Sequence, residues 1–225
     1  MQRLSEFSLL FLLSLGGLLS NGDGNLREET NSLMELDIRK AFDTSDLVWL
    51  YQQNYNNTYN DSGPQGIEYH TYTCLRNNRT SLTEKQYNFT QTVKIDNREE
   101  VYQYSGNFVF NATKAENPPD SLLIYEYPGK RHFELMTLVY NDGSSYDCMV
   151  FFVYSLYSKL TDAGQLCEMY IRGNAVNNPP PQDCVTFYNN KCRTHRQETY
   201  KIYIENCTRG AEYETEPINV IPIKK

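Results

Sequence analysis

Beyond its first two dozen residues, the chain has no apolar run of bilayer-spanning length, no Cys-x-x-Cys pair, no basic stripe and only three histidines. A transmembrane helix needs about 20 consecutive apolar residues, so no membrane partner is expected. His70, His132 and His195 are scattered, and without closely spaced cysteines they do not form a zinc-ligand pattern. Lys and Arg number 21 against 28 acidic residues, a formal charge of −7. An acidic chain gains no attraction from nucleic acid or an anionic membrane surface. Catalytic signatures are missing too: there is no G-x-S-x-G elbow, no H-E-x-x-H and no phosphate-cradling glycine loop. These absences point to a binding protein, not an enzyme, with no cofactor and no metal.

Export chemistry is present in its place. Arg3 precedes an apolar stretch from Phe7 to Ser20, and small residues follow at Gly22 and Gly24. This is the pattern of a signal peptide over 1–22. Residues 23–31 are polar and read as a flexible N-terminus, 32–210 as one domain, and 211–225 as a polar tail. Six cysteines, at 74, 148, 167, 184, 192 and 207, lie after the leader. An even count in an exported chain reads as three disulfides, with fifteen possible pairings. N-x-[ST] sequons begin at Asn56, Asn60, Asn78, Asn88, Asn111 and Asn206, so a secreted, extracellular glycoprotein is expected. A monomer is the expected state.

Periodicity gives the fold class. Ser32 and Glu35 form a capping box, and Met34, Ile38, Ala41 and Phe42 follow at helical spacing, predicting a short helix over 32–42. Strands are then predicted at 46–55, 67–76, 85–95, 99–110, 121–127, 131–140, 145–154 and 164–172, separated by turn residues such as Asn117-Pro118-Pro119-Asp120 and Asn141-Asp142-Gly143. A break at Pro179-Pro180-Pro181 precedes a helix over 184–194 capped by Asp183, and 199–206 returns to strand character. Seven of the eight main strands follow one another with no helical pattern between them, which favours an antiparallel meander. Eight such strands close into a barrel able to hold one small ligand. The expected fold is therefore all-β, an eight-stranded antiparallel barrel with a short N-terminal helix and a C-terminal helix packed outside. A glycan at Asn88 has to face out, which turns Tyr87, Phe89, Val93 and Ile95 inward by alternation. The strand at 145–154 is apolar in both registers, as a strand needs to be when a helix covers its outer face.

One set of motifs is more specific. Tyr146-Asp147-Cys148-Met149-Val150-Phe151, then Cys167-Glu168-Met169-Tyr170, then Pro181-x-x-Cys184 and Cys207, resembles the tick salivary lipocalins of the histamine-binding family. Asp37-Ile38-Arg39-Lys40-Ala41-Phe42 and Tyr72-Thr73-Cys74 are similar to that family's opening pattern. The resemblance covers roughly 36–207. It implies a lipocalin calyx with an outer helix and the bridges Cys74–Cys207 and Cys148–Cys184, leaving Cys167–Cys192 as the third. It also implies a small host mediator as partner, held in an aromatic box with buried carboxylates. Carried over by position, the ligand-binding residues are Glu168, Tyr170, Tyr125, Phe133, Tyr55 and Met149.

The chain departs from the amine binders of that family. Met149 and Leu135 stand where acids are found, and Tyr170 replaces a frequent tryptophan. Glu168 is then the one inward carboxylate expected, with Glu99 and Glu100 as distant candidates. A biogenic amine, histamine or serotonin, remains the first expectation. Two alternatives stay open. One is an eicosanoid or fatty acid in an apolar slot of Met149, Phe151, Leu123 and Leu135, with Arg or Lys at the mouth. The other is a host protein, such as a complement component, bound through the loops.

Overall fold

The computed structural model describes residues 36–63, 66–96, 98–110, 117–156, 165–193 and 198–207. The strands are β1 (Val48–Gln53), β2 (Thr58–Gly63), β3 (Gly66–Leu82), β4 (Gln86–Ile95), β5 (Arg98–Val109), β6 (Ser121–Glu126), β7 (His132–Asn141), β8 (Cys148–Ser155), β9 (Leu166–Arg172) and β10 (Tyr200–Lys201). Two helices, α1 (Ile38–Phe42) and α2 (Gln182–Cys192), and a short 3₁₀ turn at Gly173–Asn177 complete the order. Antiparallel pairing runs β1-β9-β8-β7-β6-β5-β4-β3, and β3 returns to β1 through Val48–Asn77 and Trp49–Arg76. That closure gives the expected eight-stranded lipocalin-type barrel and leaves no open edge within it.

Two-residue alternation sorts the side chains. On β8, Met149, Phe151 and Val153 join the inner core with Leu122, Ile124, Met136 and Leu138. Cys148 and Val150 face the other way, into an outer cluster with Cys167, Met169, Ile171 and the buried face of α2. The strand apolar in both registers is therefore buried on both faces. Gly106 on β5 makes room inside the barrel, because a Cβ there would lie 2.6 Å from the Leu122 side chain.

Helix α1 seals one end of the barrel. Phe42 stacks on Tyr87 at 4.6 Å and lies 5.7 Å from Phe151. Asp37 caps the helix by accepting from the Arg39 backbone N–H. At its other end, Arg172 donates to the carbonyls of Lys40 and Ala41 at 2.7 and 2.8 Å, placing positive charge where a helix C-terminus favours it.

All three disulfides have the expected partners: Cys74–Cys207, Cys148–Cys184 and Cys167–Cys192. The last two staple α2 to β8 and β9. Buried Asn54 closes the same seam. Its amide donates to the carbonyls of Gln165 and Cys192, both at 2.8 Å, and its oxygen accepts from the Cys167 N–H at 2.8 Å. Replacing Asn54 with alanine strands three backbone groups, so a loss of about 3 kcal/mol is expected in urea unfolding.

Several element boundaries differ from expectation. The helix predicted at 32–42 is Ile38–Phe42 over the described residues, and the Ser32–Glu35 box lies outside them, as do the leader, the tail and Asn111. Helix α2 begins at Gln182 behind Pro181, so Asp183 lies in its first turn and is not the cap. Strand β2 was not expected, because Asn60, Asp61 and Ser62 show no apolar alternation; it is held by its backbone ladder to β3. At 199–206 only Tyr200–Lys201 is strand, pairing with the end of β1. The sequon asparagines Asn56, Asn60, Asn78 and Asn206 are exposed, and Asn88 is half-buried.

Candidate ligand-binding site

A cavity of about 130 Å³ lies inside the barrel, walled by side chains of β1, β3, β4, β5, β6, β7 and β9. Its polar focus is Glu168 on β9, which is 5 % exposed. The Tyr170 hydroxyl donates to one carboxylate oxygen at 2.9 Å, and the Tyr55 hydroxyl donates to the other. Gln53 supports this group from β1, donating to the Tyr55 carbonyl at 2.9 Å and to the Tyr72 hydroxyl at 2.6 Å. Burial raises the Glu168 pKa, and the two tyrosine hydroxyls oppose that rise. The tyrosines respond in turn: burial, then the Glu168 charge, hold Tyr55 and Tyr170 well above the usual phenol range, so both remain donors.

A second carboxylate, Glu134 on β7, faces the same cavity. Its position comes from a bulge. Ile124 pairs with Glu134 and Tyr125 pairs with His132, so Phe133 has no partner on β6. Directly paired residues share a face of the sheet. Glu134 therefore points inward with Ile124, and the extra residue, Phe133, also reaches the cavity. Burial, then repulsion from Glu168, pushes Glu134 up to about 8. Rings complete the wall. Tyr104 lies 5.5 Å from Phe133 and 5.6 Å from Phe89, and Tyr72 closes the β3 side. Among the described residues, no Lys, Arg or His lines this space.

A family model described as tick histamine binding protein matches residues 28–209. The chain belongs to the tick histamine-binding protein family. Curated proteins contain no match to it. Among solved structures, the serotonin complex of AM182 superposes with a TM-score of 0.50 at 12 % identity, covering 77 % of this chain and 93 % of that one. The siderocalin Ex-FABP gives 0.42 at 8 %, covering 71 % and 91 %. Lobster apocrustacyanin A1 gives 0.41 at 16 %, covering 70 % and 75 %. At such identities the AM182 likeness shows a shared fold. Family and fold together make the protein a lipocalin that binds small ligands.

Within this family member, four of the six expected positions, Tyr55, Phe133, Glu168 and Tyr170, meet around the cavity. Two do not. Tyr125 turns to the outer face, where its hydroxyl accepts from Gln86 at 2.7 Å and its ring meets His132 edge-on at 5.2 Å. Met149 does face inward, but it is fully buried in the packed core and forms no part of the cavity wall. The expectation of a single inward acid is corrected by Glu134, one residue before the Leu135 that alternation from Phe133 turned inward. Leu135 pairs with Leu123 on the opposite face. Glu99 binds Arg76 at 3.0 Å and Glu100 accepts from the Tyr102 hydroxyl, and neither lines the cavity. Tyr72 and Tyr104 were also missed. Alternation along Glu100, Tyr102 and Tyr104 was a usable signal for Tyr104, whereas nothing in the sequence marks the bulge that exposes Glu134.

Proposed function

We propose that the protein is exported and sequesters a small aromatic amine, of the histamine or serotonin class, inside its barrel. One observation carries this reading: a ring-walled cavity holds two carboxylates and, among the described residues, no basic side chain. Desolvated carboxylates that lack a cation cost free energy, and a ligand ammonium relieves that cost while the tyrosine and phenylalanine faces hold the ring. Size restricts the choice: about 130 Å³ is somewhat less than the roughly 150 Å³ of a cavity that takes benzene, so the space favours a small ligand with a single ring. A leukotriene or fatty acid is too long for this space and would bring a third carboxylate into it. Met149, Phe151, Leu123 and Leu135, the residues of the apolar-slot alternative, do not surround the cavity. Stoichiometric removal of a mediator from the host's inflammatory response is the role this chemistry serves, with no catalytic step. Calorimetric titration with histamine, serotonin and leukotriene B4 tests it: submicromolar binding of an amine is expected, and tight binding of the leukotriene alone overturns it.

Binding is expected to be linked to protons. Free Glu134, raised to about 8, is largely protonated at neutral pH. An arriving ammonium favours its ionised form, so about one proton leaves per amine bound. Affinity then rises with pH between about 6 and 8, by at most about tenfold per unit. Calorimetry in buffers of different ionisation enthalpy reads the released proton. The free protein shows the opposite trend. A carboxyl raised above its unfolded value of 4.5 contributes stability that is fully present below that value and lost as pH passes about 8.

A further inference from the structure

A second space, of about 370 Å³, lies along the outer wall of β3, β4 and β5, sharing only Phe89 and Tyr104 with the amine cavity. Its side-chain chemistry is neutral. Thr80, Ser81, Asn88, Thr90, Gln103 and Ser105 offer hydroxyls and amides, and Tyr127, 62 % exposed, stands at one edge. The Tyr127 backbone N–H donates to the Gln103 carbonyl at 3.0 Å, which fixes that edge to β5. Uncharged hydrogen-bonding groups beside an exposed aromatic ring are the surface a saccharide needs: its hydroxyls pair with the groove, and its C–H face covers the ring.

The groove also contains an attachment point, since Asn88-Phe89-Thr90 is a sequon. The Asn88 side chain is already oriented. Its Nδ2 donates to Ser81 Oγ at 2.8 Å, and its Oδ1 accepts from Ser105 Oγ at 2.6 Å. An amide nitrogen carries two hydrogens, and N-glycosylation removes one of them. Nδ2 bonds to the anomeric carbon of an oligosaccharide delivered on a lipid diphosphate, the C–O bond to that diphosphate breaks with the electron pair going to the diphosphate, and the Nδ2 proton passes to a base of the transferring enzyme. The Ser105 bond to Oδ1 is untouched by this change, and the Ser81 bond persists when the sugar replaces the hydrogen that Ser81 does not accept.

We propose that the groove is the bed of an N-linked glycan on Asn88, with the first sugar between Ser81 and Ser105 and the chain running toward Tyr127. This rests on the export reading above. The glycan covers the β3–β5 wall, while α2 packs against β7, β8 and β9 on another side of the barrel.

The test is expression of the full chain in eukaryotic cells, with glycopeptide mass spectrometry of the secreted protein. Asn88 is expected to be occupied, and its glycan to resist endoglycosidase on the native protein while the exposed Asn206 site is cleaved. Tyr127→Ala is expected to speed release from Asn88 several-fold and leave Asn206 unchanged. An exported protein with Asn88 unmodified overturns the proposal, as does an Asn88 glycan cleaved as fast as that on Asn206 and indifferent to Tyr127→Ala. Retention inside the cell with no glycan overturns export and this proposal together.

Discussion

A Glu168→Gln variant is expected to bind serotonin or histamine about a hundredfold more weakly than the unaltered protein. Truncating one partner of a buried, hydrogen-bonded charge pair costs about 2–5 kcal/mol, and a hundredfold lies within that range. The effect is large because Glu168 is placed before ligand arrives. Hydroxyls of Tyr55 and Tyr170 fix both carboxylate oxygens, so little reorganisation accompanies binding. Glutamine keeps the volume and one acceptor oxygen and loses the charge. Stability should move the other way. The substitution removes a buried carboxylate and relieves the repulsion that raises Glu134, so thermal unfolding is expected at an equal or higher temperature. Calorimetry and a melting curve on the same sample separate the two effects. Weak binding with a lowered melting temperature would point to a damaged fold, and unchanged binding would place the ammonium elsewhere.

Removing the Cys74–Cys207 bridge, by serine at both positions, is expected to be the most destabilising of the three disulfide deletions. The bridge spans 133 residues, against 36 for Cys148–Cys184 and 25 for Cys167–Cys192. Loop-closure entropy grows with the logarithm of loop length, giving about 5 kcal/mol for the longest and about 1–1.5 kcal/mol less for the others. For a domain of this size, 5 kcal/mol corresponds to a melting temperature roughly 10–15 °C lower. The native-state role points the same way. Cys207 lies in the segment after β10, which completes the closure of β1 against β3 through the Cys74 N–H to the Ile202 carbonyl at 2.8 Å. A calorimetric scan of the three double-serine variants orders them. Equal losses would show that native packing, not chain entropy, sets the contribution of each bridge.

Much of the barrel was legible because its strands obey a strict period of two. Tyr87 and Phe89 turned inward as the Asn88 sequon required, and β8 carried apolar residues on both faces because α2 covers its outside. The three pairings and the inward face of Glu168 were implied by the family resemblance. What escaped was irregular. A bulge has no sequence signature of its own, so alternation from Phe133 turned Leu135 inward where the structure has Glu134. Tyr125 was carried over from the family resemblance, and it faces outward by ordinary alternation after the inward Ile124. Strand β2 escaped because its side chains are mostly polar and exposed, leaving backbone pairing as its main support.

The measurement closest to the heart of the matter compares two ligands that share a ring and differ in charge. Serotonin and the hydroxyindole acetic acid that carries a carboxylate in place of its amine should be titrated side by side. A cavity with two acids and, among the described residues, no base is expected to bind the amine at submicromolar concentration, with proton release, and to give no heat with the acid. Equal affinity for both would contradict the carboxylate cage and assign recognition to the aromatic walls alone.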